Sequence, residues 1–479
     1  MAKWEINGVP ACTSTVLHQV LPSIVSDGFG GAIVVWSQNI TGSWEEHAIS
    51  TQRLNSEGIP MWTPEGILLS TTPGYQEFIG LISSTDGAIV AWADASYNDC
   101  NYIFVQRINL DGEVQWTPGG VRLSETSYGQ MHPRLIPDGS DGAIITWIDH
   151  YSNLRGNIRA QRINSSEELM WSSDGVDVCT IPVCRRERPG IVGSDSGSAI
   201  IIWCDNREGS WNVYAQKVDE NGVCLWQDQG VRIASGYSPY TRITSDSAGG
   251  AIVVFGRESS IYTQRIDREG YILWDSTGVL ICEDTGEYYE LSIVSDQYGG
   301  AIVFWADTRD CIYPYEWDIY AQRIDCFGEV QWEPNGIPVC TQWFEQSNPV
   351  ATIDGCGGAI VAWQDSRSYG GDIYAQRVND IVGIETQTNN LPDGFHLIGS
   401  YPNPFTDRTI IKYALSRTSK VHLEIFDVSG RKVKTLIDEE KGPGLYTMRW
   451  TAEENPSGIY FVRFVAGNYK EMKKLILLK

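Results

Sequence analysis

The chain has 479 residues, 42% hydrophobic and 20% charged, with 18 Trp, 23 Tyr and 48 Gly, the balance of a folded and β-rich protein rather than a disordered one. Its formal net charge of −24 argues against nucleic acid and anionic membrane surfaces as partners, because phosphate binding needs clustered Lys and Arg. No apolar run approaches the ~20 residues of a membrane-spanning helix, and six scattered His offer no multi-His metal site, so no cofactor is expected.

Residues 4–13, WEINGVPACT, match 332–341, WEPNGIPVCT, at seven of ten positions, so the chain starts inside a repeat. The segment GGAIVVW at 30–36 returns as DGAIVAW (86–92), DGAIITW (141–147), GSAIIIW (197–203), GGAIVVF (249–255), GGAIVFW (299–305) and GGAIVAW (357–363). A Gln-Arg pair follows each copy, from Gln52-Arg53 to Gln376-Arg377, with Gln216-Lys217 the one variant. A third marker is a Trp in GEVQW-like segments: Trp62, Trp116, Trp171, Trp226, Trp274 and Trp332. Each unit reads as four short strands, A like PSIVSD, B like GAIVVW, C like DIYAQRID and D like EVQWEPNGIPV, joined by Gly- and Asp-rich turns. Four-stranded units repeated in this way predict an all-β, seven-bladed β-propeller over residues 1–379, with the strand at 4–13 completing the last blade and closing the ring.

The Asp of each A–B turn (Asp27, Asp86, Asp138, Asp195, Asp246, Asp296 and Asp354) is an expected partner for the arginine of the Gln-Arg marker, in its own or the next blade. A feature copied in every blade reads as structural. The B–C and D–A loops are longer and uneven, and place binding on their face. Tyr151, Trp211, Tyr313, Tyr315, Trp317, Trp343 and Phe344 on these loops are the candidate ligand-binding residues. Asp94, Asp149, Asp205, Asp307 and Asp365 follow the strand-B Trp by two positions; Arg207, Arg309 and Arg367 lie two further on and are expected to pair with the last three. Aromatic platforms beside carboxylates suit a glycan or a peptide. No Gly-x-Ser-x-Gly, His-Glu-x-x-His or phosphate loop occurs, and no catalytic residue is singled out. None of the eleven Cys forms a Cys-x-x-Cys pair. Cys326–Cys356 and Cys184–Cys204 are candidate bridges by their turn positions, whereas Cys12, Cys179, Cys282 and Cys340 share one repeat position and are expected to stay reduced and buried.

Residues 380–398 read as a polar linker. Beyond it the charge changes sign: residues 385–479 hold 14 Lys and Arg against 11 Asp and Glu, leaving 22 against 49 for the rest. Alternating strands between turn signals over 399–479 predict a small Ig-like β-sandwich. The tail opens on Tyr401-Pro402-Asn403-Pro404-Phe405, continues through IFDVSGRKV (425–433) with Gly430 and GIYFVRF (458–464), and ends near Lys473-Lys474. It resembles the C-terminal sorting domain of the type IX secretion system, itself similar to the Ig-like domain of flagellar hook-capping proteins. The resemblance implies an exported protein, secreted or at the outer cell surface, with the secretion machinery as a partner. Members of that family enter the periplasm through a signal peptide; residues 1–4 show none, so the leader is expected upstream. The reading that results is a secreted or surface-displayed binding protein, with a carbohydrate-active hydrolase or lyase on the same scaffold, or a structural surface-layer component, as alternatives.

Overall fold

A computed structural model describes residues 19–39, 47–70, 76–97, 100–126, 128–152, 155–181, 186–195, 197–235, 241–283, 285, 288–309, 317–341, 344–354, 357–366, 372–378, 395–401, 403–405, 408–415, 417–442, 444–452 and 455–478. These residues form strands and turns, with no helix among them.

The repeats fold as a series of antiparallel sheets in simple meander order. The first is built from Gln19–Ser26, Ala32–Asn39, His47–Leu54 and Ile67–Leu68, here strands A to D. Five further four-stranded sheets repeat that plan, and a seventh has three described strands, Gln346–Ile353, Ala359–Asp365 and Asp372–Val378. The first half of strand B is largely apolar because both of its faces are covered. In the fifth sheet Ala251, Val253 and Phe255 join the cluster shared with the fourth, and Ile252 and Val254 join the cluster shared with the sixth. Each apolar cluster of the repeat region draws on two consecutive sheets, which gives a propeller-like succession. The seventh sheet shows where the series stops. Its strand B alternates between buried and exposed, with Ile360 42% exposed, because no described sheet covers its other face. The strand expected at 4–13 lies outside the described residues, and the described sheets do not close into a ring.

The three sequence markers turn out to be one device. Asp27 Oδ1 accepts the N–H groups of Phe29 and Gly31, both at 2.8 Å, which fixes the A–B turn. Its Oδ2 accepts from Arg53 Nε at 2.9 Å. The same pairing within one sheet recurs as Asp86–Arg107, Asp138–Arg162, Asp195–Lys217, Asp246–Arg265, Asp296–Arg323 and Asp354–Arg377. The second glycine of the turn makes a close approach: a Cβ on Gly31 or Gly250 would lie 2.1 or 2.2 Å from the carbonyl oxygen ending strand C, and only the fourth sheet has another residue, Ser198, at this position. Gln52 is fully buried; its Nε2 donates to Thr63 O at 2.8 Å, and its Oε1 accepts from the N–H of Trp62 and of Arg53.

From this base the arginine and the Trp reach into the next sheet. Arg53 Nη1 and Trp62 Nε1 both donate to Leu110 O, at 3.1 Å. Arg162 and Trp171 share Glu220 O, Lys217 and Trp226 share Arg268 O, and Arg265 and Trp274 share Cys326 O. The Trp therefore departs from the strand expected for it. Trp332 lies at a bend after the isolated bridge Ile324–Val330, and strand D starts only at Ile337. There the ring is turned out to cap the neighbouring turn. Its seat is a left-handed glycine: a Cβ on Gly270 (φ 90°) would meet the Trp226 ring at 2.9 Å.

Residues 380–479 form a second compact unit. One sheet orders Phe395–Tyr401, Arg408–Leu415 and Gly444–Thr451; the other orders Lys432–Lys441, Ser419–Asp427, Gly458–Ala466 and Tyr469–Leu477. Both enclose one core containing Leu397, Ile411, Leu423, Trp450, Val462 and Leu475. The first strand begins inside the stretch read as linker, because Phe395 and Leu397 alternate into this core.

Arg265 and Asp246 are each 1% exposed at their side chains. Asp246→Ala leaves that guanidinium uncompensated and is expected to cost about 3–5 kcal/mol in urea unfolding. Arg232→Ala, at the exposed pair with Glu208, is expected to cost about 0–1 kcal/mol.

Candidate functional site

The loop-side end of strand B carries a buried carboxylate in five sheets: Asp94, Asp149, Asp205, Asp307 and Asp365. In four of them the strand-B Trp donates Nε1 to the Asp two residues on, at 2.7 Å for Trp147–Asp149, 2.9 Å for Trp203–Asp205, 2.6 Å for Trp305–Asp307 and 3.0 Å for Trp363–Asp365. Asp94 instead accepts from Gln76 Nε2 at 3.0 Å. Arg207 clamps both oxygens of Asp205, stacks 3.8 Å above the Tyr214 ring and donates to Gln229 O at 2.8 Å. Arg309 repeats this on Asp307, Tyr320 and Asn335 O. The expected Asp–Arg pairs thus fix the loop bases; Arg367 lies outside the described residues.

Two further sheets place a cation on the same carbonyl from other positions. Arg159, on strand C, donates to Asp174 O at 2.8 Å, and Arg257, ending strand B, donates to Thr277 O at 3.2 Å while stacking on Tyr262. Register-based reading misses this, because the cation moves among three sequence positions and the acceptor is main chain. The turn glycine after each acceptor (Gly175, Gly230, Gly278 and Gly336) is the available signal.

Asp149 is the outlier. Arg159 Nε lies 2.8 Å from its Oδ2, yet neither atom makes an aligned hydrogen bond with the described residues. Burial pushes the Asp149 carboxyl from its ordinary 3.8 up to about 6. Burial also lowers the neighbouring His150.

The candidate aromatic residues divide. Trp317 is half-buried against the cluster shared by the sixth and seventh sheets, and Trp211 against that of the fourth and fifth. Phe344 is 54% exposed, at φ 74°. Gln346 joins two of them: its N–H donates to Trp317 O at 2.7 Å and its Nε2 to Phe344 O at 2.7 Å. Tyr313, Tyr315 and Trp343 lie outside the described residues, as does the side chain of Tyr151, whose backbone ends the strand Ala143–Ser152. Cys179, Cys282 and Cys340 are buried thiols, in line with the expectation for their repeat position. Cys12, Cys184 and Cys356 lie outside the described residues; burial pushes the thiol of Cys326 up to about 12.

In the tail the opening motif clasps the last strand. Asn403 Nδ2 donates to Lys474 O and its Oδ1 accepts from Ile476 N–H, both at 2.7 Å. Phe405 continues the ladder through Ile476 O and the Leu478 N–H, and its ring meets Trp450 edge-on at 5.3 Å. Tyr401 ends the first strand, Pro402 lies outside the described residues, and Pro404 is exposed. Gly430 (φ 80°) closes the turn after Asp427. Lys474 is exposed, and Lys473 is half-buried.

Residues 400–478 match the secretion system C-terminal sorting domain. No curated protein matches the chain. Solved structures similar to it include a protein of unknown function from Dyadobacter fermentans, at 12% identity and TM-score 0.37, covering 76% of this chain and 94% of that one. Two others are the Penicillium chrysogenum alpha-L-arabinanase with arabinobiose (14% identity, TM-score 0.33, 60% and 89%) and the endo-arabinase of Bacteroides thetaiotaomicron (8%, 0.31, 63% and 93%).

Two outcomes are expected. Asn403→Ala removes two strand-locking hydrogen bonds worth about 1 kcal/mol each, so amide exchange at Ile476 accelerates about thirtyfold. For Asp149 the folded chain binds the proton more tightly than the unfolded chain. Its stabilising contribution is therefore complete below the unfolded value of 3.8 and is lost as pH rises through about 6. Asp149→Asn should gain about 3 kcal/mol on the parent between pH of about 4 and 7 in denaturant unfolding.

Proposed function

Because the chain carries a type IX C-terminal sorting domain, and is thereby a secreted or outer-surface protein, we propose that residues 1–379 are its exported passenger: a seven-bladed β-propeller that binds a neutral glycan or a peptide through its long-loop face. In this reading residues 4–13 supply the missing strand of the seventh sheet and close the ring, and the tail is an Ig-like sandwich that engages the secretion machinery. The observation that carries the reading is the link through Gln346, which holds Trp317 and the exposed Phe344 together at the base of two adjoining loops. Trp211 stands in a similar half-buried setting two sheets away. Flat rings on a rigid base bind by stacking without needing a charge match, and the net −27 of the residues before 385 disfavours polyanions. Asp205 and Asp307, held by their arginines, serve the loops, which supports binding over hydrolysis.

The test is a glycan and peptide array probed with the purified full chain, followed by titration of the best ligand. A folded Trp317→Ala/Trp343→Ala double variant is expected to bind about tenfold or more weakly. Full binding by that variant would move the ligand off this face, and release of new reducing ends would make the protein a hydrolase.

A further inference from the structure

After each C–D turn the chain runs through a short extended segment that ends in the marker Trp. The middle residue of that segment bridges back to strand C, as Cys224 does to Val218 and Ile272 to Ile266. The residues on either side of the bridge therefore point together, to the opposite face from it. In the second and sixth sheets these flanking positions hold Glu113 with Gln115 and Glu329 with Gln331. The polar side chains serve their own turns: Glu113 accepts from Asn109 Nδ2, and Gln331 Nε2 donates to Asp325, both at 3.0 Å. The repeat thus supplies its own control, and the fold needs nothing apolar at these positions.

In the fourth and fifth sheets the same positions hold Val223 with Leu225 and Tyr271 with Leu273, and all four are open to solvent, at 54, 50, 70 and 43% exposure. The two pairs lie side by side. Trp226, next to Leu225, donates to Arg268 O at 3.3 Å, and its ring seats Gly270, next to Tyr271. Apolar residues exposed singly need no explanation, whereas two abutting pairs make a patch of the kind that marks an interaction surface. The first sheet also has an apolar pair, Ile59 and Met61, but its neighbour there is the polar pair of the second. The rim of the patch is acidic. Residues 219–228 and 267–275 carry six carboxylates against one cation, Arg268, which is held by Asp195 and Glu269.

We propose that the patch formed by Val223, Leu225, Tyr271 and Leu273 is a docking surface for a segment of a partner protein whose apolar side chains are interleaved with Lys or Arg. The apolar groups bury against the two pairs, with Tyr271 as the central anchor, and the cations meet the acidic rim. A second copy of this chain is the poorer occupant, because a symmetric contact would set the same carboxylates against one another. The patch lies on the side of the short turns, away from the long loops, and does not depend on what those loops bind.

The experiment is calorimetric titration of the full chain with three octapeptides: one alternating lysine with leucine, one alternating lysine with serine, and one alternating glutamate with leucine. The first is expected to bind saturably and the other two at least about tenfold more weakly. A quadruple variant, Val223→Glu/Leu225→Gln/Tyr271→Glu/Leu273→Gln, installs the residues that the second and sixth sheets already carry. It is expected to keep the melting temperature and to bind the lysine–leucine peptide at least about tenfold more weakly, and Tyr271→Glu alone about threefold more weakly. The Trp317→Ala/Trp343→Ala variant is expected to bind this peptide as the parent does, which separates the patch from the loop face. No saturable binding of the lysine–leucine peptide, equal binding of the lysine–serine peptide, or undiminished affinity in both patch variants would overturn the proposal. So would concentration-dependent dimerisation of the parent that the quadruple variant abolishes, since the occupant would then be a second copy.

Discussion

The joint between consecutive sheets rests on a main-chain oxygen. At four joints one carbonyl at the tip of a C–D turn accepts both a guanidinium or ammonium group and an indole N–H from the sheet before it, as Cys326 O does from Arg265 and Trp274; between the second and third sheets Arg107 and Trp116 donate to two carbonyls, those of Asp141 and Ser165. Everything upstream serves to present those donors. The turn aspartate holds the cation, the buried glutamine fixes the bend that carries the indole, and the paired glycines let the turn come close enough to strand C. An Asp–Arg pair buried this deeply gains little by itself once its desolvation is counted. Its value lies in holding two donors in place for the next sheet, while the apolar clusters between sheets supply the bulk of the stabilisation.

Much of this was legible in the sequence, because repetition separates what packing requires from what drifts. The run Ala-Ile-Val, apolar at successive positions, announces a strand covered on both faces, and the recurring Asp and Gln-Arg announce a polar device copied in each unit. The sequence left open whether the arginine pairs within its sheet or across to the next; the structure shows that it does both, with the carboxylate at home and the carbonyl next door. The Trp was misplaced into a strand because alternation in GEVQW imitates one, whereas the ring is needed against the neighbouring turn. The first strand of the tail was hidden because Phe395 and Leu397 are only two apolar residues beside a polar stretch.

The candidate sites were less legible, for a physical reason. An exposed aromatic residue and a half-buried one have the same letter, and only packing distinguishes Phe344 from Trp317. Asp149 likewise carries the same letter as its counterparts, and only the structure shows that its cation, Arg159, comes from strand C.

The choice of a carbonyl as acceptor has an evolutionary consequence. The residues that own those oxygens are Leu110, Glu220, Arg268 and Cys326, an apolar, an acidic, a basic and a thiol side chain at one equivalent position. The joint's hydrogen bonds are blind to which of them is present, so a substitution there leaves the acceptor in place. The donors have no such latitude. Each unit is thus rigid on its donor side and variable on its acceptor side, and a duplicated unit can diverge in what it shows to solvent without losing its place in the stack.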